Sequence, residues 1–459
     1  MNLSDQPARR QVLKATAAAL LGTALSPVFA ADSADDTPSS KPANPFVAES
    51  QAYPDVHLKL PTDALDPPQG PKKRIAAITT AYFNGTHADD IITKFINGYA
   101  IVGRSHIPHC QVVSLHILQT PAEDIGRGIA ARARIRLCDS IADALTLGTD
   151  MLAVDGVLVI AEHGLFPYNK KGQQLYPRRE LFEDVVKVFR LTGKSVPVYS
   201  DKHLSYSWDN AKWMYDRHLE LGFAMMAGSS LPVTWRRPAL AFKQGIELQS
   251  AISLGCYEMD AYGFHALETL QTFVEKRGKA AVGVKAVQCL AGDAAWEAGD
   301  KGIWRPDLLL AALGAIWDEP GVHGSVAPAT KLADLRAREP KAIVFLIEYA
   351  DGFQAATFFS PGGGVTNQFG FAAAVKGSAN PVAAWCPLLQ PQRDHFSFLC
   401  NHIEVMFRTG KASYPVERTL LVSGILAALF DSKYAGGKRI ETPHLAELTY
   451  APAADFGSV

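Results

Sequence analysis

Short apolar segments alternate with helix-like segments through the first half of this sequence, and this alternation constrains the fold more than any other feature. The apolar segments are rich in β-branched residues and have the length of buried strands, whereas the segments between them have helical periodicity. The strand segments are 75–78, 111–118, 156–160 and 195–199, and the helical segments are 87–96, 139–147, 179–191 and 208–221. Such alternation predicts an α/β domain with a parallel sheet and helices on both faces.

The second half of the chain groups its strands instead of alternating them with helices. Strand segments occur at 280–289, 342–349, 353–360 and 365–375, and helical segments at 259–276, 306–317 and 417–434. Grouped strands predict an α+β domain with a mostly antiparallel, open sheet. The chain has 459 residues, and single cores stop growing at roughly 250–300 residues. We therefore expect the parallel-sheet domain at 71–237 and the α+β domain at 238–459.

The N-terminus has the composition of an export signal. Arg9 and Arg10 precede an apolar run at 15–25, and small residues suited to cleavage follow it. This pattern is typical of a twin-arginine signal at 1–30, and it predicts a periplasmic or secreted protein. A membrane anchor is the alternative, but the run is shorter than the roughly 20 residues that span a bilayer. Residues 31–70 are rich in Pro, Ser and Asp, and we expect them to form a linker.

The charge balance argues against a polyanionic partner. The sequence has 45 Lys and Arg against 46 Asp and Glu, so no excess of positive charge attracts nucleic acid or an anionic membrane. Its six cysteines lie far apart without a C-x-x-C pair, which argues against a zinc ribbon or a dense disulfide framework. The expected partner is therefore a small molecule bound at a local site.

Three segments resemble, in the same order, segments of one enzyme family. Residues 156–163 read GVLVIAEH, a strand with the loop after it, and 193–204 read GKSVPVYSDKHL, close to the pattern GKxVxxEKPL. Residues 414–440 resemble the closing helix and strand. The family is Gfo/Idh/MocA, the glucose–fructose oxidoreductases and inositol dehydrogenases. The resemblance implies a Rossmann-type first domain, NAD or NADP as cofactor, a carbohydrate substrate, oxidoreductase activity, and a homo-oligomer formed through the second sheet.

The loop after the first strand departs from the family pattern. At this place the family has G-x-G-x-x-G followed by a His. If His87 is aligned with that His, Thr79, Ala81 and Asn84 occupy the three glycine positions of this cofactor-binding loop. Glycine allows the tight turn and the close approach of the pyrophosphate, and only Gly85 remains to supply one turn. The next strand segment also lacks the acidic residue that binds ribose. The local residues therefore contradict the dinucleotide that the resemblance implies.

Residues that follow neighbouring parallel strands are expected to share one cleft. Glu162 and His163 follow one strand segment, and Asp201 and Lys202 follow the next. The resemblance implies that Glu162, His163 and Asp201 lie on the cofactor side of the cleft. It also implies that Lys202, the lysine of the E-K-P pattern, binds a sugar hydroxyl and favours its deprotonation. A solvated lysine at a strand end is the alternative.

Residues 258–268 form a second candidate catalytic segment. They resemble the family segment D-x-G-x-H, whose His is the general base; Gly263 and His265 align with it, whereas Asp260 lies one residue too far upstream. Asp260 is expected near a helix N-terminus, where it would orient His265, and its alternative is an N-cap. Tyr262 is a further catalytic candidate, with a packed aromatic as its alternative.

A divalent metal is another alternative for these residues. Glu258, Asp260 and His265, with Glu162 or His163 from the other domain, are side chains that suit such an ion. Their spacing matches no metal motif, so the sequence leaves the metal as an open alternative.

Three functions remain open from the sequence. The first is an exported, NAD(P)-dependent carbohydrate oxidoreductase in which Lys202 and His265 handle the hydroxyl proton. The second is a lyase, hydratase or epimerase that acts on an oxidised sugar in the same cleft without a dinucleotide. The third is a binding protein without catalysis, since a fold alone does not confer activity.

Overall fold

The computed structural model describes residues 60–101, 103–317, 331–388 and 393–453, which form two large sheets and one two-stranded sheet with their helices. The predicted signal at 1–30 and most of the predicted linker lie outside the described residues. Within these ranges, no helix is long and apolar enough to cross a membrane.

Six parallel strands form the first sheet. They are β1 (Lys73–Thr79), β4 (Cys110–Ile117), β5 (Arg136–Leu137), β6 (Gly156–Ile160), β7 (Val198–Asp201) and β8 (Met225–Gly228), and β2 (Tyr99–Ile101) pairs separately with β3 (Arg104–His106). The order β5-β4-β1-β6-β7-β8 reverses direction between β1 and β6. Such a reversal places a ligand cleft at the carboxyl ends of the central strands. The predicted parallel sheet is confirmed.

Helices cover both faces of the first sheet, which explains its almost wholly apolar strands. The helices are α1 (His87–Asn97), α2 (Gly126–Ala133), α3 (Ile141–Thr146), α4 (Arg178–Thr192) and α5 (Trp208–Leu221). Leu158 of β6 belongs to the cluster that includes α1, whereas its neighbour Val159 belongs to the cluster that includes α4. Because successive strand residues point to opposite faces, a strand covered on both sides must be apolar at every position.

The second sheet is mostly antiparallel, as predicted. Its strands are β9 (Leu248–Cys256), β10 (Val284–Ala291), β11 (Ile343–Tyr349), β12 (Gln354–Ser360), β13 (Phe369–Val375), β14 (Val382–Cys386) and β15 (Ile440–Glu441). They follow the order β14-β13-β9-β12-β11-β10-β15, and β9 with β12 is the parallel pair. The predicted α/β and α+β fold class is therefore confirmed.

Helices also cover both faces of the second sheet. The remaining helices are α6 (Met259–Val274), α7 (Asp293–Asp300), α8 (Pro306–Trp317), α9 (Leu332–Arg338), α10 (Asp394–Thr409), α11 (Val416–Tyr434) and α12 (Pro443–Ala446). Phe264 of α6 packs in one core with Ala251 of β9, and Trp296 of α7 packs in another with Ile252. Each face of this sheet thus carries helices in the ranges that the structure describes.

Helix α10 belongs to the core of the first sheet, although it follows the second sheet in sequence. A Cβ atom on Gly156 of β6 would lie 2.5 Å from the Phe407 ring, so the glycine allows the helix to approach the strand closely. On the far side of α10, Asn401 Nδ2 donates to Thr62 Oγ1 at 2.9 Å. This return of the chain brings Arg393, the residue before α10, to the cleft.

Candidate active site

The loop after β1 is packed and held by its own hydrogen bonds. Thr79 Oγ1 donates to the Ala81 carbonyl oxygen at 3.1 Å, and Thr80 Oγ1 donates to the backbone of the loop after β6 at 2.7 Å. Thr79 and Ala81 are fully buried, whereas Asn84 is exposed. Gly85 has φ +80°, a left-handed turn of the kind predicted for it. The loop is therefore packed backbone rather than an open phosphate cradle.

Glu162, directly after β6, is buried between two cations. Arg178 Nη2 donates to its Oε2 atom, and Lys202 Nζ lies 3.1 Å from its Oε1 atom. Burial alone would raise the pKa of Glu162, but the charges of Lys202 and Arg178 hold that pKa well below its usual range. Glu162 is therefore a fixed anion that anchors Lys202.

Lys202 follows β7 and joins the first sheet to α6. Its Nζ atom donates to the Ala261 carbonyl oxygen at 2.7 Å, one helical turn before His265. The residue is only 4% exposed, which is not the setting of a solvated lysine at a strand end. Glu162 and Ala261 accept two of the three ammonium protons. The third is available to an oxygen atom of a substrate.

His265 has a different environment from the one predicted. Its Nδ1 atom is buried without a hydrogen-bond partner in the described chain. Asp260 Oδ2 instead accepts from the Gln174 backbone N–H at 2.8 Å, so the expected Asp260–His265 pair is wrong. The N-cap reading of Asp260 is also wrong, because Glu258 holds that position. Tyr262 packs edge-on against Tyr257, with its ring centre 6.2 Å from that of His265.

Burial controls the protonation of these groups. Burial, followed by the positive charge of Lys202, lowers the pKa of His265 well below its usual range. Burial also lowers the pKa of His163 to about 4 and raises the pKa of Asp260 to about 6. At neutral pH the cleft therefore contains neutral imidazoles at His163 and His265.

His87 and Asp201 form a hydrogen-bonded pair at the centre of the cleft. His87 Nδ1 lies 2.7 Å from Asp201 Oδ2, and the carboxylate is fully buried. The His87 ring centre is 5.4 Å from that of His163. Asp201, predicted on the cofactor side, thus binds a side chain of this protein.

A glutamine bridges the passage that a dinucleotide takes in Rossmann folds. Gln119 follows β4 and Leu165 follows β6, on opposite sides of β1. Gln119 Nε2 donates to the Leu165 carbonyl oxygen at 3.1 Å, and the Leu165 N–H donates to Gln119 Oε1 at 2.8 Å. In Rossmann folds a dinucleotide crosses the carboxyl end of the first strand between these two loops, and the bridge joins the loops at that place.

Arg393 contacts the loop that holds the phosphates in dinucleotide-binding Rossmann folds. Arg393 Nη1 donates to the Gly85 carbonyl oxygen at 2.8 Å and to Asp90 Oδ2 at 2.6 Å, so its charge is already paired. Leu118 and Gln119, which follow β4, supply no carboxylate for a ribose hydroxyl. At these two places the residues of this chain depart from the usual dinucleotide site of Rossmann folds.

The metal alternative also lacks a ligand cluster. No group of three or more His, Cys, Asp or Glu side chains in the described ranges is placed to hold a metal ion. Asp260 is bound to the backbone of Gln174, and Glu162 is bound to Arg178 and Lys202. These two carboxylates are thus committed to protein partners.

We predict that His163 makes stability fall as the pH falls from about 6.5 to 4. Its folded-state pKa of about 4 lies below the ordinary histidine pKa of 6.5, so the unfolded chain binds a proton in this window and the folded chain does not. His163→Gln should flatten this part of the curve, measured by urea unfolding between pH 4 and 7. His218→Gln on α5 serves as control. A curve for His163→Gln as steep as the wild-type curve would contradict the assignment.

Comparison with known proteins supports the fold. No family model and no curated protein matches the sequence. GenD2 from gentamicin A biosynthesis, solved in complex with NAD, has 14% identity and a TM-score of 0.51, covering 83% of this chain and 99% of its own. The scyllo-inositol dehydrogenase of Lactobacillus casei has 9% identity and a TM-score of 0.48, covering 81% and 98%. The myo-inositol 2-dehydrogenase of Lactobacillus plantarum has 11% identity and a TM-score of 0.49, covering 81% and 99%.

The chain therefore shares the fold of GenD2, with two large sheets and the carboxyl ends of the parallel strands at one edge of the first. The fold that the resemblance to the Gfo/Idh/MocA family implied is confirmed.

Sequence reasoning missed four residues of this site: Arg178, Gln119, His87 and Arg393. Arg178 and Gln119 act through partners distant in sequence, and no local pattern indicates such contacts. His87 could have been identified as a site residue, because it directly follows the loop after the first strand. It was used only to align that loop with the family pattern.

Proposed function

We propose that this chain is an enzyme that transfers protons on a sugar or sugar derivative bound at the carboxyl ends of β1, β6 and β7. The observation that carries this proposal is the meeting of Lys202, from the first sheet, with the helix turn that carries His265. Lys202 offers a charged N–H to a developing oxyanion, and His265 offers a neutral imidazole beside it. Such a pair suits enolisation next to a carbonyl, which favours an oxidised sugar as substrate.

The bridge between Gln119 and Leu165 favours catalysis without a dinucleotide. An oxidoreductase needs a hydride acceptor, and the two loops between which that acceptor would lie are joined by hydrogen bonds of this chain. A lyase, hydratase or epimerase needs only proton transfer and stabilisation of the enolate, which the cleft residues can supply. We therefore place this class first.

An NAD(P)-dependent carbohydrate oxidoreductase is the second candidate. It is supported by the shared fold and by the NAD bound in GenD2. In such an enzyme the nicotinamide would accept hydride, while Lys202 and His265 would bind and deprotonate the hydroxyl.

A screen of sugars and oxidised sugars in D₂O, with and without added NAD(P), tests the proposal. We expect deuterium incorporation or product formation without dinucleotide, and its loss in His265→Asn. Turnover that requires NAD(P) would support the second candidate instead. A sugar that binds but is never transformed would indicate a binding protein.

Export by the signal predicted at 1–30 also belongs to this proposal. Replacing Arg9 and Arg10 with lysines should keep the protein in the cytoplasm, as measured by fractionation of the native host. Unchanged export of that variant would contradict a twin-arginine route.

A further inference from the structure

The proposed function assigns no role to the hydrogen-bonded pair of His87 and Asp201. Asp201 is fully buried, and its Oδ2 atom lies 2.7 Å from His87 Nδ1. The Tyr199 hydroxyl, which donates to the Gly228 carbonyl oxygen at 2.8 Å, lies 3.5 Å from the other oxygen, Oδ1. Because Nδ1 faces the carboxylate, Nε2 is the nitrogen left to face the cleft.

The His87 ring lies among the other rings of the cleft and remains 14% exposed. Its centre is 5.4 Å from His163, 6.4 Å from His265 and 5.1 Å from Phe396. His87 begins α1 of the first sheet, whereas His265 lies on α6 of the second. The rings of His87 and His265 are therefore neighbours, although they belong to helices of different sheets.

The two histidines differ in their electrostatic surroundings. His265 Nδ1 has no hydrogen-bond partner in the described ranges, and burial keeps this imidazole neutral. His87 has a buried carboxylate at its Nδ1 atom, and such a carboxylate fixes the tautomer and stabilises the imidazolium that forms when Nε2 takes a proton. His87 is thus equipped to accept a proton, and His265 to donate a hydrogen bond.

We propose that His87 is the base that removes a proton from the carbon beside a carbonyl of an oxidised sugar, with Asp201 as its positioning residue. The C–H bond breaks, its electron pair forms the C=C bond of an enolate, and the carbonyl oxygen takes the charge beside Lys202 and His265. Return of the proton from His87 restores the C–H bond, so the step consumes no oxidant or reductant. This inference rests on the proposed function.

Exchange of carbon-bound hydrogen with D₂O, followed by proton NMR, tests it directly. The probes are a 3-keto-hexopyranoside, 2-keto-myo-inositol and glucuronate, each with the full mature chain. His87→Gln should lower the exchange rate at least 100-fold, about the contribution expected of a general base. His218 lies on α5, where its ring hydrogen-bonds the Phe223 carbonyl oxygen, and His218→Gln should exchange at the wild-type rate.

Asp201 is tested by variants that separate positioning from folding. Asp201→Asn should lower kcat about 10-fold or more with KM unchanged, and Asp201→Glu should restore part of kcat because it restores the carboxylate. Thermal unfolding of each variant shows whether it is folded. If Asp201→Asn does not fold, the comparison of His87→Gln with wild type still decides the role of His87.

The outcomes distinguish the role of His87 from the proposed function on which that role rests. Wild-type exchange that persists in His87→Gln but disappears in His265→Asn would overturn the role of His87 and leave the proposed function standing. A wild-type chain that exchanges none of the three probes would contradict the proton-transfer function itself.

Discussion

Replacing Glu162 with glutamine is expected to lower the free energy of unfolding by about 3–5 kcal/mol, the usual cost of removing one partner of a buried ion pair. The carboxylate lies between Arg178 and Lys202, and all three side chains are less than a tenth exposed. Without it, two buried cations face each other with no anion between them. Urea unfolding at pH 7, followed by tryptophan fluorescence, gives the difference.

Glu183→Gln is the matched control for this substitution. Glu183 forms an ion pair with Arg179 on the same helix, at 2.9 Å, and both side chains are about a quarter to a third exposed. Exposed pairs of this spacing contribute about 0.3–0.5 kcal/mol, so the control should change stability little. Equal losses for Glu162→Gln and Glu183→Gln would contradict the buried network.

Replacing Lys202 with methionine is expected to lower turnover of the substrate found by screening about 10²–10³-fold, as loss of one oxyanion donor does elsewhere. Methionine keeps the apolar stem of the side chain but offers no N–H to the oxygen atom of the substrate. The loss should fall on kcat rather than KM if Lys202 acts on the enolate. Steady-state kinetics on wild type and variant measures the split.

Lys212→Met separates this effect from a general loss of positive charge. Lys212 lies on α5 and pairs with Asp216 at 2.6 Å, with both side chains partly exposed. We expect wild-type turnover from it. If Lys202→Met keeps full turnover while remaining folded, Lys202 has no role in the chemistry.

The first sheet was predictable because its strands are buried on both faces. Gly156–Ile160 is apolar at every position, and the prediction matches β6 at both ends. The strand β9 was missed, although it is central to the second sheet, because Gln249, Ser250 and Ser253 interrupt its apolar pattern. Its place is fixed by pairing with β12 and β13, and such contacts between distant segments leave no local signal.

Helix α10 was missed because its buried side is not uniformly apolar. Ser397 and Asn401 are fully buried among its apolar residues, so the helical period of the apolar positions is obscured. Because the position of Arg393 depends on this helix, Arg393 could not be predicted as a residue of the site.

Site residues that follow strands could be predicted from the sequence. Contacts between side chains and backbone of different loops could not. Lys202 and Glu162 lie together because β6 and β7 are adjacent parallel strands. The bridge from Gln119 to Leu165 depends on the conformation of two loops that are separated by 46 positions in sequence. The lack of glycine at the glycine positions of the first loop predicted a poor dinucleotide site. The bridge between Gln119 and Leu165 is a structural feature that agrees with this prediction.

Native mass spectrometry of the purified mature protein, alone and with 100-fold excess NAD⁺ or NADP⁺, tests the central claim most directly. If Gln119 and Arg393 close the dinucleotide path, the mass is that of the polypeptide alone, and neither dinucleotide adds to it. A dinucleotide that copurifies with the chain, or that adds in a one-to-one complex, would contradict the account.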